Sequence, residues 1–231
     1  VADTRYNLAV ALLHASSPEA LAEAESELEQ AHLSFASLRG TTAIELANTN
    51  LALAQVARLR GQDDVAERRV AAALAIYSHH PGHPDRAYAL GLQGVLLFAA
   101  GRLDDALSAH TAARAIALSA WGESSAVVGG AESNIGDILR LRGDLGGAIA
   151  RYRTGIAILE RSLGEKAMEV IEPLIGLGKA HLARREFCDA VRPLLRAIGL
   201  LRELGESNLE ELNLLEYQAS AGCRDLTSSG Q

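Results

Sequence analysis

Small and large apolar residues return along this chain at one long period. Ala66, Ala106, Ala148 and Ala190 lie 40, 42 and 42 residues apart. Ala54, Gly94, Gly136 and Gly178 stand 12 residues before them. Ala73, Ala113, Gly155 and Ala197 stand seven residues after them, and Val70, His110, Tyr152 and Leu194 fall between, four residues on. Antiparallel helices approach closely only where small side chains let the backbones meet, and a larger residue then fills the next groove. The columns therefore predict a helix pair, repeated. Two glycine ladders mark its turns. Gly61, Gly101 and Gly143 form one, and the next step of 42 lands on Arg185. Gly40, Gly82, Gly122, Gly164 and Gly205 form the other, at steps of 42, 40, 42 and 41. Two interleaved ladders mean two turns, and so two helices, per repeat.

The pattern places first helices over 4–15, 41–60, 84–100, 124–142 and 167–183. Second helices follow over 18–37, 63–79, 103–120, 145–162 and 186–203. Repeats then span 4–37, 41–79, 84–120, 124–162 and 167–203 of one all-α domain, 1–231. The first repeat is the most degenerate, as terminal repeats often are, but Ala24, Leu28 and Ala31 keep its second helix in phase. A further helix over 207–220 is expected to cap the apolar end of the last repeat, and the tail over 225–231 to be disordered. Ser17-Pro18 has the chemistry of a helix start, with Ser as N-cap and Pro at the first helical position. Pro173 is expected in the first turns of its helix, and Pro193 to kink its own by removing a backbone donor.

The small–x11–Ala–x3–large–x2–Ala spacing resembles the tetratricopeptide repeat (TPR). The period near 42 resembles its kinesin-light-chain-like subclass, with a turn of the form Leu-Gly-x-x-His-Pro. Leu163-Gly164 and Leu204-Gly205 match the first half of that turn, and His83-Pro84 the second. The stretch from Ala190 to Ala197, with Pro193 inside it, is also similar to that subclass. Gln93 and Arg185 depart from the pattern, which covers roughly residues 5–205. The resemblance implies a right-handed superhelical solenoid of about five helix-turn-helix repeats, with the first helices lining a concave face that binds a protein or peptide. It also implies a narrower role, since such repeats often form the sensor part of bacterial transcriptional regulators and signalling ATPases.

Repeat phase then selects the concave side chains. Asn48, Leu51, Gln55 and Arg58 belong to the second repeat, and Tyr88, Val95 and Phe98 to the third. Gly130, Ser133, Asp137 and Arg140, with Asn134 nearby, belong to the fourth, and Glu172, Ile175, Lys179 and Leu182 to the fifth. Amides can pair with an extended peptide backbone, donating and accepting at once. Arginines can hold carboxylates. Tyr88 and Phe98 are expected to form an apolar pocket. The partner-binding set is thus Asn48, Gln55, Arg58, Tyr88, Phe98, Ser133, Asn134, Asp137, Arg140 and Lys179.

Composition narrows the reading. Aromatics are only 4% of the chain, so Ala and Leu must supply the packing, as the columns require. The net charge of −7 argues against direct nucleic-acid binding, which needs cationic surface. Only Lys166 and Lys179 among the 22 basic residues are lysines, which reads as GC-rich coding. No apolar run reaches the roughly 18–20 residues of a membrane span. The start lacks a signal-peptide pattern and an initiator Met, which suggests processing or excision from a longer protein. Cys188 and Cys223 do not suggest a disulfide framework. Cys188 reads as a small core-filling thiol, and a reducing, cytoplasmic setting is expected.

Candidate chemistry is sparse. His79, His80 and His83 form the most metal-like cluster, but no acidic or thiol ligand follows at a structural-zinc spacing. An exposed inter-repeat turn explains them better. Cys188 has Asp189 beside it and no evident base. Glu25, Glu27 and Glu29 read as a solvated face. The Gly91–Gly94 and Gly143–Gly147 stretches lack a preceding strand and a phosphate-loop lysine. The expectation is a binding scaffold without catalysis, cofactor or metal. A small-molecule or signalling-peptide receptor is the main alternative. Self-association of apolar ends into a homodimer is another.

Overall fold

Alternating helices and glycine turns build the whole of the described chain. The computed structural model describes residues 1–13 and 17–228. It divides into two units, Val1–Ile116 and Ala117–Gln231. In the first unit α1 (Ala2–Leu13) pairs with α2 (Pro18–Arg39), and α3 (Ile44–Leu59) with α4 (Asp63–Tyr77). α5 (Arg86–Ala99) follows, and α6 (Leu103–Trp121) begins in this unit. In the second unit α7 (Ala126–Leu141) pairs with α8 (Leu145–Leu163). A 3-10 turn, Met168–Val170, leads into α9 (Ile171–Ala183), which pairs with α10 (Phe187–Glu203). α11 (Glu210–Ser228) packs on α10. Among the described residues no helix is long and apolar enough to cross a membrane.

The columns are the packing code. Ala66, Ala106, Ala148 and Ala190 are all fully buried. The first-helix glycines of the column, Gly94, Gly136 and Gly178, each accept the large residue of their own second helix. A Cβ on Gly94 would lie 2.6 Å from His110 Nε2, and one on Gly178 2.6 Å from Leu194 Cδ2. In the remaining repeat of this kind the fit is Ala54 against Val70, within one apolar cluster. Turn geometry follows the ladders too. Gly61, Gly101 and Gly143 have φ of 70°, 74° and 81°, and Arg185, which replaces the next glycine, is held at 62°. The backbone keeps its left-handed turn although the residue best suited to it is gone.

Local chemistry sets the helix starts. Ser17 Oγ accepts the Ala20 N–H at 3.1 Å, with Pro18 opening α2. Asp144 Oδ1 accepts the Gly147 N–H at 2.9 Å at the start of α8. Pro173 lies in the first turn of α9. α10 runs through Pro193 from Phe187 to Glu203.

Two expectations fail at the C-terminal end. α11 continues to Ser228, so the helix does not stop at 220 and the tail over 225–228 is helical. The rest of the expected tail, 229–231, lies outside the described residues. The longer helix carries Cys223 to Cys188, with Cα atoms 4.7 Å apart, and the two form a disulfide. That separation suits the bond. Cys188 is therefore not a core-filling thiol, but an exposed residue on the first turn of α10, tied to α11. Phe187 reinforces the contact, since a Cβ on Gly222 would lie 2.5 Å from its ring. The bond also removes the free thiols on which a reducing setting was inferred.

Candidate ligand-binding site

The first helices of three successive repeats border an open cavity of about 290 Å³ in the first unit. α1 contributes Tyr6 and Val10, and α3 contributes Asn48, Leu51, Ala52 and Gln55. Asp85, just before α5, and Tyr88 on α5 complete the wall. Tyr6, Asn48 and Tyr88 occupy one column of the repeat, at steps of 42 and 40. Solenoid phase thus places three polar side chains around one space.

A hydrogen-bonded floor holds them. The Tyr77 hydroxyl donates to Asn48 Oδ1, and Asn48 Nδ2 donates to Asp85 Oδ2 at 3.3 Å. Tyr77 is fully buried, and its ring stacks on His83 with centroids 5.6 Å apart. His83 Nδ1 accepts the Asp85 N–H at 3.3 Å. The same ring nitrogen lies 3.9 Å from an Asp85 carboxylate oxygen. Burial, and then the Asp85 charge, push the phenols of Tyr6, Tyr77 and Tyr88 above their ordinary range. All three remain neutral donors at physiological pH.

In the second unit Asp137, Tyr152 and Arg140 form a compact network. The Tyr152 hydroxyl donates to Asp137 Oδ1 at 2.7 Å, and Arg140 Nε donates to the Tyr152 oxygen at 3.3 Å. Arg140 Nη2 reaches Asp137 Oδ1 at 3.4 Å. Burial, and then the Asp137 charge, push the Tyr152 phenol up. Lys179 lines a separate cavity of about 250 Å³ with Glu172 and Ile175 of α9 and residues of α11. Its ammonium pairs with Glu211 at 3.1 Å.

The expected residues divide accordingly. Asn48, Gln55 and Tyr88 share the first-unit cavity, and Asp137 and Arg140 share the second-unit network. Arg58 is exposed, and Asn134 and Phe98 are half-buried. Phe98 does not line the cavity with Tyr88, so the expected Tyr88–Phe98 pocket is not formed. The two lie nearly three turns apart on α5, which separates them by about 15 Å at 1.5 Å per residue. Ser133 is buried, not presented to a ligand. Its hydroxyl donates to the Gly129 carbonyl at 3.0 Å, and a Cβ on Gly155 would strike it at 2.4 Å. Tyr6 and Asp85 went unforeseen. The column through Asn48 and Tyr88 points to Tyr6. Asp85 carries no such signal, because it sits in the turn before its helix.

The histidine turn does not converge. His80 Nε2 meets the Thr42 carbonyl at 3.2 Å, whereas His83 stacks on Tyr77. A different trio does cluster: one ligand atom each of His181, Glu186 and Asp189 lie within 4.8 Å of one another. His181 Nδ1 is already 2.7 Å from Glu186 Oε2, and Arg184 holds Glu186 Oε1 at 2.9 Å. The guanidinium competes with a cation for that carboxylate in the turn between α9 and α10.

No protein-family model and no curated protein matches the sequence. Solved structures do match the fold. BtubC (BKLC) from P. vanneervenii has a TM-score of 0.69 at 20% identity over 88% of this chain and 82% of its own. A putative kinesin light chain from Podosopora anserina with nearly identical TPR-like repeats has a TM-score of 0.64 at 16% identity, over 89% and 97%. A Rap protein complexed with Competence and Sporulation Factor has a TM-score of 0.67 at 19% identity, over 91% and 63%. With its repeat columns, turn glycines and helix pairs, this chain has the fold of a TPR-type repeat protein.

Proposed function

We propose that the chain is a non-catalytic scaffold that binds a peptide or protein segment on its first-helix face. One observation carries this reading: three successive first helices leave a cavity lined by amide, phenol and carboxylate groups. Amide and phenol side chains suit an extended peptide, whose backbone both donates and accepts. The similarity to a Rap protein bound to Competence and Sporulation Factor supports a peptide ligand by analogy of fold. A role as the interaction domain of a bacterial regulator is the narrower form of the same proposal.

Selection from a random-peptide display library tests it, using the wild type and a Tyr6→Ala/Asn48→Ala/Tyr88→Ala variant of unchanged helix content. Peptides enriched on the wild type and lost on the variant support the reading. Equal enrichment on both rejects this face. A small-molecule receptor is the second reading, favoured by the cavity's volume of about 290 Å³, near the lower end for ligand pockets. Native mass spectrometry of protein purified from its own host distinguishes it, through a bound mass that the variant lacks.

A further inference from the structure

Asp85 occupies the N-cap position of α5, yet its side chain makes no capping hydrogen bond. An aspartate there ordinarily accepts an N–H from the first turn. This carboxylate instead lines the cavity, where Asn48 Nδ2 binds one oxygen. Among the described residues no lysine or arginine forms an ion pair with it, and His83 Nδ1, 3.9 Å from one of its oxygens, accepts the Asp85 backbone N–H. The side chain is about one-third exposed, so a ligand can reach it.

The surroundings favour one sign of charge. Tyr6 and Tyr88 stand in the same wall, and their ring faces attract cations as the carboxylate does. An anion would meet the negative charge of the Asp85 carboxylate. A neutral group would leave the carboxylate partly desolvated without a matching donor, which is costly. A guanidinium or ammonium supplies both the charge and the donors. The net charge of −7 draws such groups toward the protein.

We propose that the cavity between α1, α3 and α5 is a receptor for a basic side chain, arginine or lysine, of the bound peptide, with Asp85 as counter-ion and Tyr6 and Tyr88 as the aromatic walls. This rests on the reading of the first-helix face as the peptide side.

The test separates the two ideas. The wild type is titrated with N-acetyl-arginine-N-methylamide, its lysine counterpart and the uncharged citrulline counterpart, followed by NMR shifts of the Tyr6, Asn48 and Tyr88 amides. Binding of either basic probe, at least about tenfold tighter than citrulline and lost in Asp85→Asn, is expected. Asn preserves the shape and one acceptor, and circular dichroism verifies its fold. Equal binding of citrulline, or unchanged binding by Asp85→Asn, overturns the basic-side-chain receptor. The display selection reports on the scaffold separately. Peptides enriched there without a basic residue reject this inference and leave the scaffold standing. No enrichment at all rejects the scaffold.

Discussion

Tyr152 fills the space that a side chain on Gly136 would need: a Cβ built on Gly136 lies 2.9 Å from Tyr152 Cε1. Gly176, on the next first helix, meets the same ring, at 2.5 Å from Cζ. The phenol sits in a slot between two helices of the second unit, and its hydroxyl emerges beside Asp137 and Arg140.

Glycines in such slots behave unlike glycines on open helix surface. Gly94→Ala is expected to destabilise by about 1–3 kcal/mol, because its Cβ would strike the buried His110 ring. Gly91→Ala, three residues away on α5 with nothing within 4 Å, is expected to stabilise by up to about 1 kcal/mol. Urea denaturation of both variants measures the difference. Effects of the same sign would contradict the slot.

His110 makes the first unit sensitive to acid. Burial lowers its pKa from 6.5 to about 4, and its Nδ1 has no hydrogen-bond partner. Below 6.5 the unfolded chain binds a proton that the folded chain refuses. The stabilisation is therefore complete above pH 6.5 and is lost as pH falls toward 4, by on the order of 3 kcal/mol. His110→Leu, matching Leu194 in its column, is expected to flatten this dependence between those pH values. Parallel denaturant titrations at stepped pH compare the two proteins directly, and identical slopes would refute the assignment.

Arg185 holds a left-handed turn without being glycine, at φ 62°. Arg185→Gly is expected to raise stability by about 1 kcal/mol, since the Cβ clash of that conformation disappears. The reciprocal change, Gly143→Ala at φ 81°, is expected to cost a similar amount. Thermal melts of both variants decide.

The disulfide ties α11 to the last repeat across a sequence separation of 35. Loop-closure arguments assign such a bond about 3–4 kcal/mol. Cys188→Ser/Cys223→Ser is expected to lower the melting temperature and to speed amide exchange in α11 before the other helices of its unit. A thiol titration of the untreated protein checks the bond itself: two reactive thiols would disprove it.

Much of the fold was legible because repeat physics is local and periodic. Turn glycines and one small residue per helix contact, recurring every 40–42 residues, place ten helices to within a few residues. The same phase brought out Asn48, Gln55 and Tyr88, since a side chain's face follows from its helix register. Ser133 shows the limit. Phase puts it on a first helix, but only the close approach of Gly155 reveals that its hydroxyl is buried.

Sequence alone determined the all-α class, the helix pairs and the columns that pack them, because each depends on residues near in the chain or one repeat away. The tertiary structure decided what depends on turns and ends, where no repeat constrains the chain. It turned Asp85 from its helix into a cavity with Tyr6, and it extended α11 far enough to bring Cys223 to Cys188. Both pairings join residues tens of positions apart and out of register with the period, so contact in space, and not spacing in the sequence, defines them.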